Sequence, residues 1–343
     1  QAAIPNKLAV GSRQLAEFWC PVHCALSHEL IAAYRVPRTV LTLFPLHTCK
    51  HVDIFYFCLK SLQIMPFLEL FDETLDINAT ENYELSVQVS SDDISFCILD
   101  TLRNKFVMLR SYEPEDNSRY DPYRLNEIIR KDDFLTRRFR KTNIITPTSR
   151  STMVPGPLFE DSRKEEYLDF NQKKSDRERV LISRMKNSDI YSIFSLHEGF
   201  AELLKVVFPE GNVMHPLKPL FQYVNFNRRS TGNNIHIHFE KEYFDAVIFD
   251  PNELKFCNTF YFSSRSDIEY FVLYILKKMN VRQDETVYLS GKTQEKEALV
   301  HGLSAYLSDI RFAMPQGNYT FSYVLSEAEL HRFLLLFSAV NCE

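Results

Sequence analysis

Residues 85–112 read LSVQVSSDDISFCILDTLRNKFVMLRSY, and residues 235–262 read IHIHFEKEYFDAVIFDPNELKFCNTFYF. The two segments align without a gap at a shift of 150 positions, from Leu85 to Ile235. Apolar and polar residues alternate at the start of each, which is the pattern of a strand with one buried face. A polar turn, an apolar stretch, an Asp-led turn and a further apolar stretch follow in both. Each segment therefore predicts a three-stranded antiparallel meander.

The same residue stands at four aligned positions of the two segments. Ile98, Asp100, Lys105 and Phe106 recur as Ile248, Asp250, Lys255 and Phe256. A long internal repeat indicates a duplicated structural unit. The two aspartates could be mistaken for a catalytic pair, but an Asp directly after a strand is typical of a turn that its side chain stabilises.

Alternating helices and strands are predicted after each meander. The helices cover residues 123–138, 198–208, 217–227, 267–279, 294–307 and 327–339, and the strands cover residues 142–146, 180–185, 190–196, 286–289 and 309–313. Ser266 is the expected N-cap of the fourth helix, and Ser195 with Glu198 is the expected capping box of the second. Two mixed sheets flanked by helices, with a cleft between them, follow from this order. We therefore predict an α/β fold: a duplicated actin-like (ribonuclease H-like) two-domain fold, the architecture of actin, hexokinase and the sugar kinases.

The first 64 residues differ in composition from the rest. They hold four of the seven cysteines, the single Trp and three acidic residues against six basic ones. They are either a small extra module or the product of an over-long gene start with Met65 as the true first residue, and the sequence favours the second. Cys20, His23, Cys24, His47, Cys49 and His51 offer ligands for zinc, but their spacing matches no standard site, and free thiols are the favoured interpretation. The predicted organisation is an extra segment over 1–64, a first lobe over 65–229 and a second lobe with a C-terminal helix over 230–343.

Bulk composition excludes several classes of protein. The net charge is −5 and the pI is about 6.1, so a nucleic-acid partner is not expected. No apolar run approaches the ~20 residues of a membrane span. The odd count of cysteines, without a regular framework, is typical of reduced thiols. We therefore expect a cytoplasmic protein.

From residue 67 onward the chain resembles a family of uncharacterised bacterial proteins, the domain-of-unknown-function family numbered 3822. The stretches that carry the resemblance are LFDETLDINATENYELSVQVSSDDISFCILD (70–100), TMVPGPLFEDSRKEEYLDFN (152–171), FDAVIFDPNELKFCNTFYFSS (244–264) and VYLSGK (287–292). The resemblance implies an actin-like ATPase fold. It implies no function.

Glycine is scarce where an actin-like fold needs it to bind ATP. The chain has 8 glycines, against roughly 24 at average usage. The turn within the first meander is Ser-Ser-Asp-Asp (90–93), and the turn within the second is Glu-Lys-Glu-Tyr (240–243). Neither offers a glycine whose backbone could cradle phosphate, and both bring carboxylates to the place where phosphate would lie. We therefore predict no ATP hydrolysis, no catalytic residues, no bound metal and no cofactor.

One fragment of a nucleotide site is left. Ser290, Gly291 and Lys292 follow a predicted strand and lead into a helix, where related folds contact adenosine. We predict these residues as a degenerate adenosine corner, against the simpler interpretation of a strand-to-helix loop that needs a glycine.

Other polar clusters are interpreted structurally. His236 and His238 lie two apart on a strand, and Ser86 and Gln88 hold the aligned positions, which favours a polar strand face over half a metal site. The basic run over residues 137–141 is expected at a solvated helix end.

The leading functional hypothesis is a non-enzymatic actin-like protein that acts through protein–protein contacts, with an unknown protein partner. The alternatives are a nucleotide or small-molecule binding protein without turnover, and an enzyme of unrecognised chemistry. The sequence gives no oligomeric state.

Overall fold

The computed structural model describes residues 64–114, 118–293 and 295–342. Residues Pro66–Glu343 form one compact unit. The predictions for residues 1–64, including the zinc ligands and the gene start, fall almost entirely outside the described residues. The division of the remainder into lobes at residue 230 stays a prediction.

The described residues form fifteen strands and seven α-helices. The strands are β1 Leu68–Phe71, β2 Tyr83–Val89, β3 Ile94–Asp100, β4 Lys105–Tyr112, β5 Lys141–Ile145, β6 Ser151–Pro155, β7 Glu178–Arg184, β8 Ile190–His197, β9 Asn212–Met214, β10 Asn234–Phe239, β11 Tyr243–Phe249, β12 Leu254–Tyr261, β13 Thr286–Gly291, β14 Asp309–Phe312 and β15 Thr320–Phe321. The helices are α1 Pro122–Lys131, α2 Lys164–Asn171, α3 Glu198–Val207, α4 Leu217–Phe226, α5 Arg265–Lys278, α6 Lys296–Ser304 and α7 Leu334–Ser338.

Two sheets carry the aligned segments, and they have the same strand order. The first sheet runs β1-β4-β3-β2-β5-β9, with β15 also on β4, and the second runs β12-β11-β10-β13-β14. In each, an antiparallel meander is followed by a strand that pairs parallel with its first strand: β5 on β2, and β13 on β10. The two predicted meanders are therefore present in the predicted places. A third, three-stranded sheet has the order β6-β8-β7.

A core cluster joins the two large sheets. Leu99 on β3 and Phe249 on β11 belong to one cluster of buried side chains with α4 and the C-terminal residues. Phe337 on α7 is fully buried and packs edge-on against Phe106 of β4, with ring centroids 4.8 Å apart. The C-terminal segment thus fills the space between the sheets, and β15 pairs with β4 of the first sheet although its residues were expected in the second lobe.

The C-terminal helix predicted over 327–339 is wrong in form. Its residues make short 3₁₀ turns at Tyr323–Glu327, Leu330–Phe333 and Ala339–Asn341 around the five-residue α7. Every residue of α7 is buried. The residues of α7 are buried on all sides, whereas a surface helix buries only one face. Tertiary packing rather than local helix propensity therefore determines the backbone conformation here.

The helix predicted over 123–138 ends early, at Lys131, because Asp132 stops it. The buried Asp132 carboxylate accepts hydrogen bonds from the backbone N–H groups of Phe134 and Leu135. Its other oxygen accepts from Arg110 and from the hydroxyl of Tyr112, each at 2.7 Å. The basic run over 137–141 therefore does not lie at a helix end.

Both predicted N-caps are displaced by two residues. Ser264 caps α5 and forms a capping box with Asp267, so the prediction of Ser266 is wrong. His197 caps α3, its ring accepting a hydrogen bond from the Gly199 N–H, while Ser195 is buried in β8. At α5 the cap is a neighbouring serine, whereas at α3 it is a histidine, because β8 extends past Ser195 to His197.

The α5 cap gives a stability test. Ser264→Ala removes the side-chain oxygen that accepts the Asp267 N–H, and we expect it to lower the free energy of unfolding by about 1 kcal/mol. Ser266→Ala is the matched control and should change it by less than about 0.5 kcal/mol. Urea unfolding of the two variants measures both, and an equal effect of the two substitutions would contradict the assigned cap.

Candidate functional site

The turns of the two meanders face a common site. In the first, the Ser90 N–H donates to the Asp93 carbonyl at 3.0 Å, and in the second the Glu240 N–H donates to the Tyr243 carbonyl at 2.9 Å. The side chains of Asp93 and Glu240 are buried. Gln88, on the strand before the first turn, donates to Glu240 at 3.4 Å. Two carboxylates thus lie in the buried space between the turns.

Lys292 neutralises these carboxylates. Its Nζ lies 2.6 Å from Asp93 Oδ1 and 3.7 Å from Glu240 Oε2. The residue follows β13, and its backbone N–H donates to the Phe239 carbonyl at 2.8 Å, which fixes the base of the side chain beside β10. The ammonium group of Lys292, which follows β13, therefore links the two turns.

The charges of this cluster stabilise one another. Burial disfavours the charged form of Lys292, but Asp93 and Glu240 outweigh it and raise the pKa of the ammonium group. Burial likewise opposes ionisation of Asp93, yet Lys292 and the hydroxyls of Ser90 and Ser95 hold the pKa of this carboxyl below its usual value. The cluster is a buried ion pair with additional hydrogen bonds, the arrangement that offsets the cost of desolvation.

A second set of ion pairs ties the rims of the two turns together. Arg119 donates from Nη2 to Glu242 Oε1 at 2.6 Å and from Nε to Asp92 Oδ1 at 3.2 Å. Lys241 Nζ lies 3.8 Å from the same Asp92 oxygen. Asp92 belongs to the first turn, whereas Lys241 and Glu242 belong to the second. These exposed pairs are individually weak, but all of them bridge the same two turns.

Little space is left between the turns. A void of about 10 Å³ lies among Gln88, Asp93, Glu240 and Lys292, which is room for about one water molecule. A larger cavity of about 180 Å³ opens outside it. Its cationic side chains are Lys241, Lys292, Lys296 and Arg332, and its acidic ones are Asp92, Glu113 and Glu329.

His236 and His238 are not on a solvated face, because both are buried between the sheets. His236 stacks on Tyr288 at a centroid distance of 5.0 Å, and His238 Nδ1 lies 2.9 Å from Ser290 Oγ. Within the described ranges, no group of three or more His, Cys, Asp or Glu residues is arranged to hold a metal. The polar face of β10 that these histidines share is therefore buried.

The structure places the predicted adenosine corner at the base of the ion-pair cluster. Ser290 is buried, with its Oγ 2.9 Å from His238 Nδ1, and Lys292 Nζ lies 2.6 Å from Asp93 Oδ1. Gly291 has φ +84°, and a Cβ there would lie 2.2 Å from the Phe239 carbonyl oxygen. The glycine is therefore required by the close pairing of β13 with β10, which any larger residue would disrupt.

Asp100 and Asp250 act in turns as predicted. Asp100 Oδ1 accepts the N–H groups of Leu102 and Arg103, and Asp250 Oδ1 accepts those of Asn252 and Glu253.

The sequence did not reveal Arg119 or the role of Lys292 as a counter-ion. Asp93 and Lys292 are 199 positions apart, so only the fold brings them together. The one available signal was the excess of carboxylates at the two turns, which calls for a buried cation.

The family can now be stated. A family model described as "Protein of unknown function (DUF3822)" matches residues 72–310. The chain belongs to this family. None of the curated proteins matches it.

Several solved structures are similar to this chain. The chain is similar to a protein of unknown function with an actin-like ATPase fold from Bacteroides thetaiotaomicron, with 23% identity, a TM-score of 0.64 and coverage of 70% of this chain and 94% of that chain. It also matches the PilM–PilN type IV pilus biogenesis complex, at 10% identity and TM-score 0.47 over 75% and 98% of the chains. A third match is the ethanolamine utilization protein EutJ from Carboxydothermus hydrogenoformans, at 10% identity and TM-score 0.42 over 79% and 91%. The match to the Bacteroides thetaiotaomicron protein shows that the fold is actin-like, as predicted.

No helix among the described residues is both long and apolar enough to cross a bilayer.

The buried lysine gives a direct test of the cluster. Lys292→Met leaves Asp93 and Glu240 without their cation, and we expect it to lower the free energy of unfolding by about 3–5 kcal/mol. Lys296→Met is the matched control from the same cavity, since its partner Glu329, at 2.8 Å, is exposed, and it should cost about 1 kcal/mol or less. Denaturant unfolding separates the two. Equal costs would contradict a buried ion pair at Lys292.

A buried carboxylate beside the cluster predicts a pH effect. Asp245 accepts a hydrogen bond from Thr259 Oγ1 at 2.5 Å, and burial raises its pKa from 3.8 to about 6. The native state therefore holds a proton that the unfolded state releases, and this stabilisation is present below pH 4 and lost as the pH rises through 6. Asp245→Asn should raise the free energy of unfolding at pH 7.5 by about 2 kcal/mol more than at pH 4.5.

Urea unfolding of the variant and the parent at both pH values measures this difference. The other titrating groups are common to the two proteins and cancel. A difference that does not change with pH would mean that Asp245 is ionised throughout.

Proposed function

We propose that this is a non-enzymatic actin-like protein that acts through protein–protein contacts, with its former phosphate site closed by its own ion pairs. The observation that carries the proposal is Lys292 Nζ at 2.6 Å from Asp93 and 3.7 Å from Glu240. In an ATP-binding member of this fold, the two turns present backbone N–H groups to phosphate. Here the same space holds two carboxylates and their counter-ion.

Charge argues against a polyphosphate in this space. Binding one would set its oxygens against Asp93 and Glu240 in a site of low dielectric, where like charges repel strongly. Lys292 could turn to the phosphate only by leaving both carboxylates uncompensated. Each outcome costs several kcal/mol (order of magnitude).

Volume argues in the same direction. The void between the turns is about 10 Å³, and the cavity outside is about 180 Å³. Pockets for ligands of nucleotide size are typically ~300–1,000 Å³. Without a nucleotide, the surfaces of the two sheets and their helices are what the fold offers to other molecules.

Clusters of carboxylates with perturbed pKa values are also typical of active sites, which would favour an enzyme. Here Asp93 and Lys292 already face each other, and the space between them and Glu240 admits about one water. A substrate larger than a water molecule would not fit between these groups. We therefore propose no catalytic residue.

The three cysteines among the described residues, Cys97, Cys257 and Cys342, are unpaired thiols. Free thiols persist in reducing compartments, which supports a cytoplasmic location as part of the proposal. The acidic net charge supports a protein rather than a nucleic acid as the partner.

A small-molecule binder without turnover is the second candidate, and the cavity of about 180 Å³ favours it. The ammonium group of Lys296 and the guanidinium group of Arg332 line this cavity. Their partners Glu329 and Glu113, at 2.8 and 2.5 Å, line it as well. A small anion could exchange with these carboxylates, whereas an adenine nucleotide exceeds the volume.

A thermal-shift titration of the full chain tests both candidates. We expect ATP, ADP and GTP, with and without Mg²⁺, to leave the melting temperature unchanged, because binding would raise it by mass action. A saturable rise with a nucleotide, together with phosphate release from ATP, would overturn the proposal. A rise with inorganic phosphate alone that is lost in Lys296→Met would favour the second candidate.

A further inference from the structure

The outer edge of the first sheet is covered by a strand from the chain itself. β1 pairs antiparallel with β4, with Leu70 opposite Leu109 and Leu68 opposite Ser111. The Asp72 N–H donates to the Val107 carbonyl at 2.8 Å at the end of this ladder. In an antiparallel pair, bonded positions alternate, so Val107, Leu109 and Ser111 direct their backbone groups towards β1.

The second sheet has the same edge without a cover. β12 takes the place of β4, and only β11 pairs with it in the described part of the chain. The Phe262 N–H donates to the Glu242 carbonyl, which fixes the alternation of the β11–β12 ladder. The backbone N–H and C=O groups of Cys257, Thr259 and Tyr261 therefore point away from the sheet. These positions align with Val107, Leu109 and Ser111 in the repeat.

The sequence of β12 offers this edge little protection beyond its first two residues. Its eight residues, LKFCNTFY, contain no proline and one charged residue, Lys255. The Lys255 ammonium group is turned to the Met279 carbonyl at the end of α5, at 2.8 Å. Exposed edges are normally blunted by charge, proline or a bulge in the edge strand. The register of β12 on β11 shifts once, at Lys255, so the bulge lies at the start of the strand. The six residues from Phe256 to Tyr261 form a regular edge that is suited to pairing with another strand.

The edge is complementary to itself. A twofold axis perpendicular to the sheet pairs residues that point to the same face, so the sum of the paired residue numbers must be even. An axis at Asn258 sets Cys257 opposite Thr259, whose backbone groups already point outward. It also sets Phe256 opposite Phe260, an aromatic cross-strand pair of the kind that stabilises sheets.

The charges of the neighbouring helix fit the same axis. Phe271 of α5 stacks near Phe260, and the end of α5 meets Lys255, so α5 runs antiparallel to β12. The axis would bring the two α5 helices side by side in opposite directions. The acidic first turn of one, with Asp267, would then face the basic last turn of the other, with Lys277 and Lys278.

Exposed aromatic side chains border this edge. Tyr261 is 61% exposed, Tyr270 63% and Tyr274 46%, and the last two stack on each other. Tyrosine is enriched in the buried centres of protein interfaces.

We propose that β12 pairs antiparallel with β12 of a second copy of this chain, forming a continuous sheet of ten strands, five from each copy. The second copy would cover the free edge of the second sheet, as β1 covers the corresponding edge of the first sheet. The inference extends the proposed interaction role by naming a partner. It does not depend on whether the cleft binds a ligand. Finding a monomer would therefore not change the interpretation of the thermal-shift experiment.

Sedimentation of the full chain tests the proposal. We expect a dimer that Asn258→Lys weakens at least tenfold, because the exposed Asn258 lies on the axis and two like charges would meet there. Asn78→Lys is the matched control on an exposed loop and should leave the dimer intact.

A cross-link gives a positive readout. Residues opposite each other at a non-bonded pair have Cα atoms ~4.5 Å apart, which is within disulfide range. Asn258→Cys should therefore form a disulfide-linked dimer under mild oxidation, and Asn78→Cys should not. A monomer at ~100 μM, or a dimer that neither Asn258 variant affects, would overturn the proposal.

Discussion

The contact between Lys292 and the carboxylates of Asp93 and Glu240 is the constraint on which the centre of this molecule depends. It joins the turn of the first sheet, the turn of the second sheet and the strand end of β13. Two acids of this burial would be intolerable without a cation, and the lysine would be equally costly without them. The three elements are therefore held in one arrangement, and the rim pairs of Arg119 reinforce it.

This arrangement explains why the fold persists without the glycines of an ATP site. A phosphate cradle needs open backbone N–H groups and room for the ligand. Both turns here carry a buried carboxylate, and the Lys292 ammonium group neutralises the pair. The one glycine in the region, Gly291, serves strand packing, since its α-carbon lies against the Phe239 carbonyl. If the cleft binds no nucleotide, as we propose, the sheet edges and helix faces are the surfaces left for recognition.

Much of the fold could be predicted from the sequence, because the alternation of apolar and polar residues that indicates strands occurs in two aligned segments. The alternation from Leu85 and from Ile235 gave both meanders, and Asp100 and Asp250 stabilise turns as predicted. The wrong predictions concern segments where contacts between distant residues override the local sequence pattern. Asp132 ends α1 early because Arg110 and Tyr112 hold its carboxylate. The C-terminal segment breaks into short turns because it is buried on every side.

The site was harder to predict because its parts are distant in sequence. The lack of glycine and the excess of acids at the turns were visible, and they led to the expectation of a degenerate site. The cation that balances the acids was visible too, in Lys292, but its direction depends on how β13 pairs with β10. The burial of His236 and His238 was not predicted for a related reason: the face they share is polar, yet the second layer of the fold covers it.

A crystal structure of the full chain grown with ATP and Mg²⁺ tests the central claim most directly. The account predicts Lys292 Nζ between Asp93 and Glu240, with no nucleotide between the two turns. A nucleotide bound there, with Lys292 turned to its phosphates and the two turns moved apart, would contradict it.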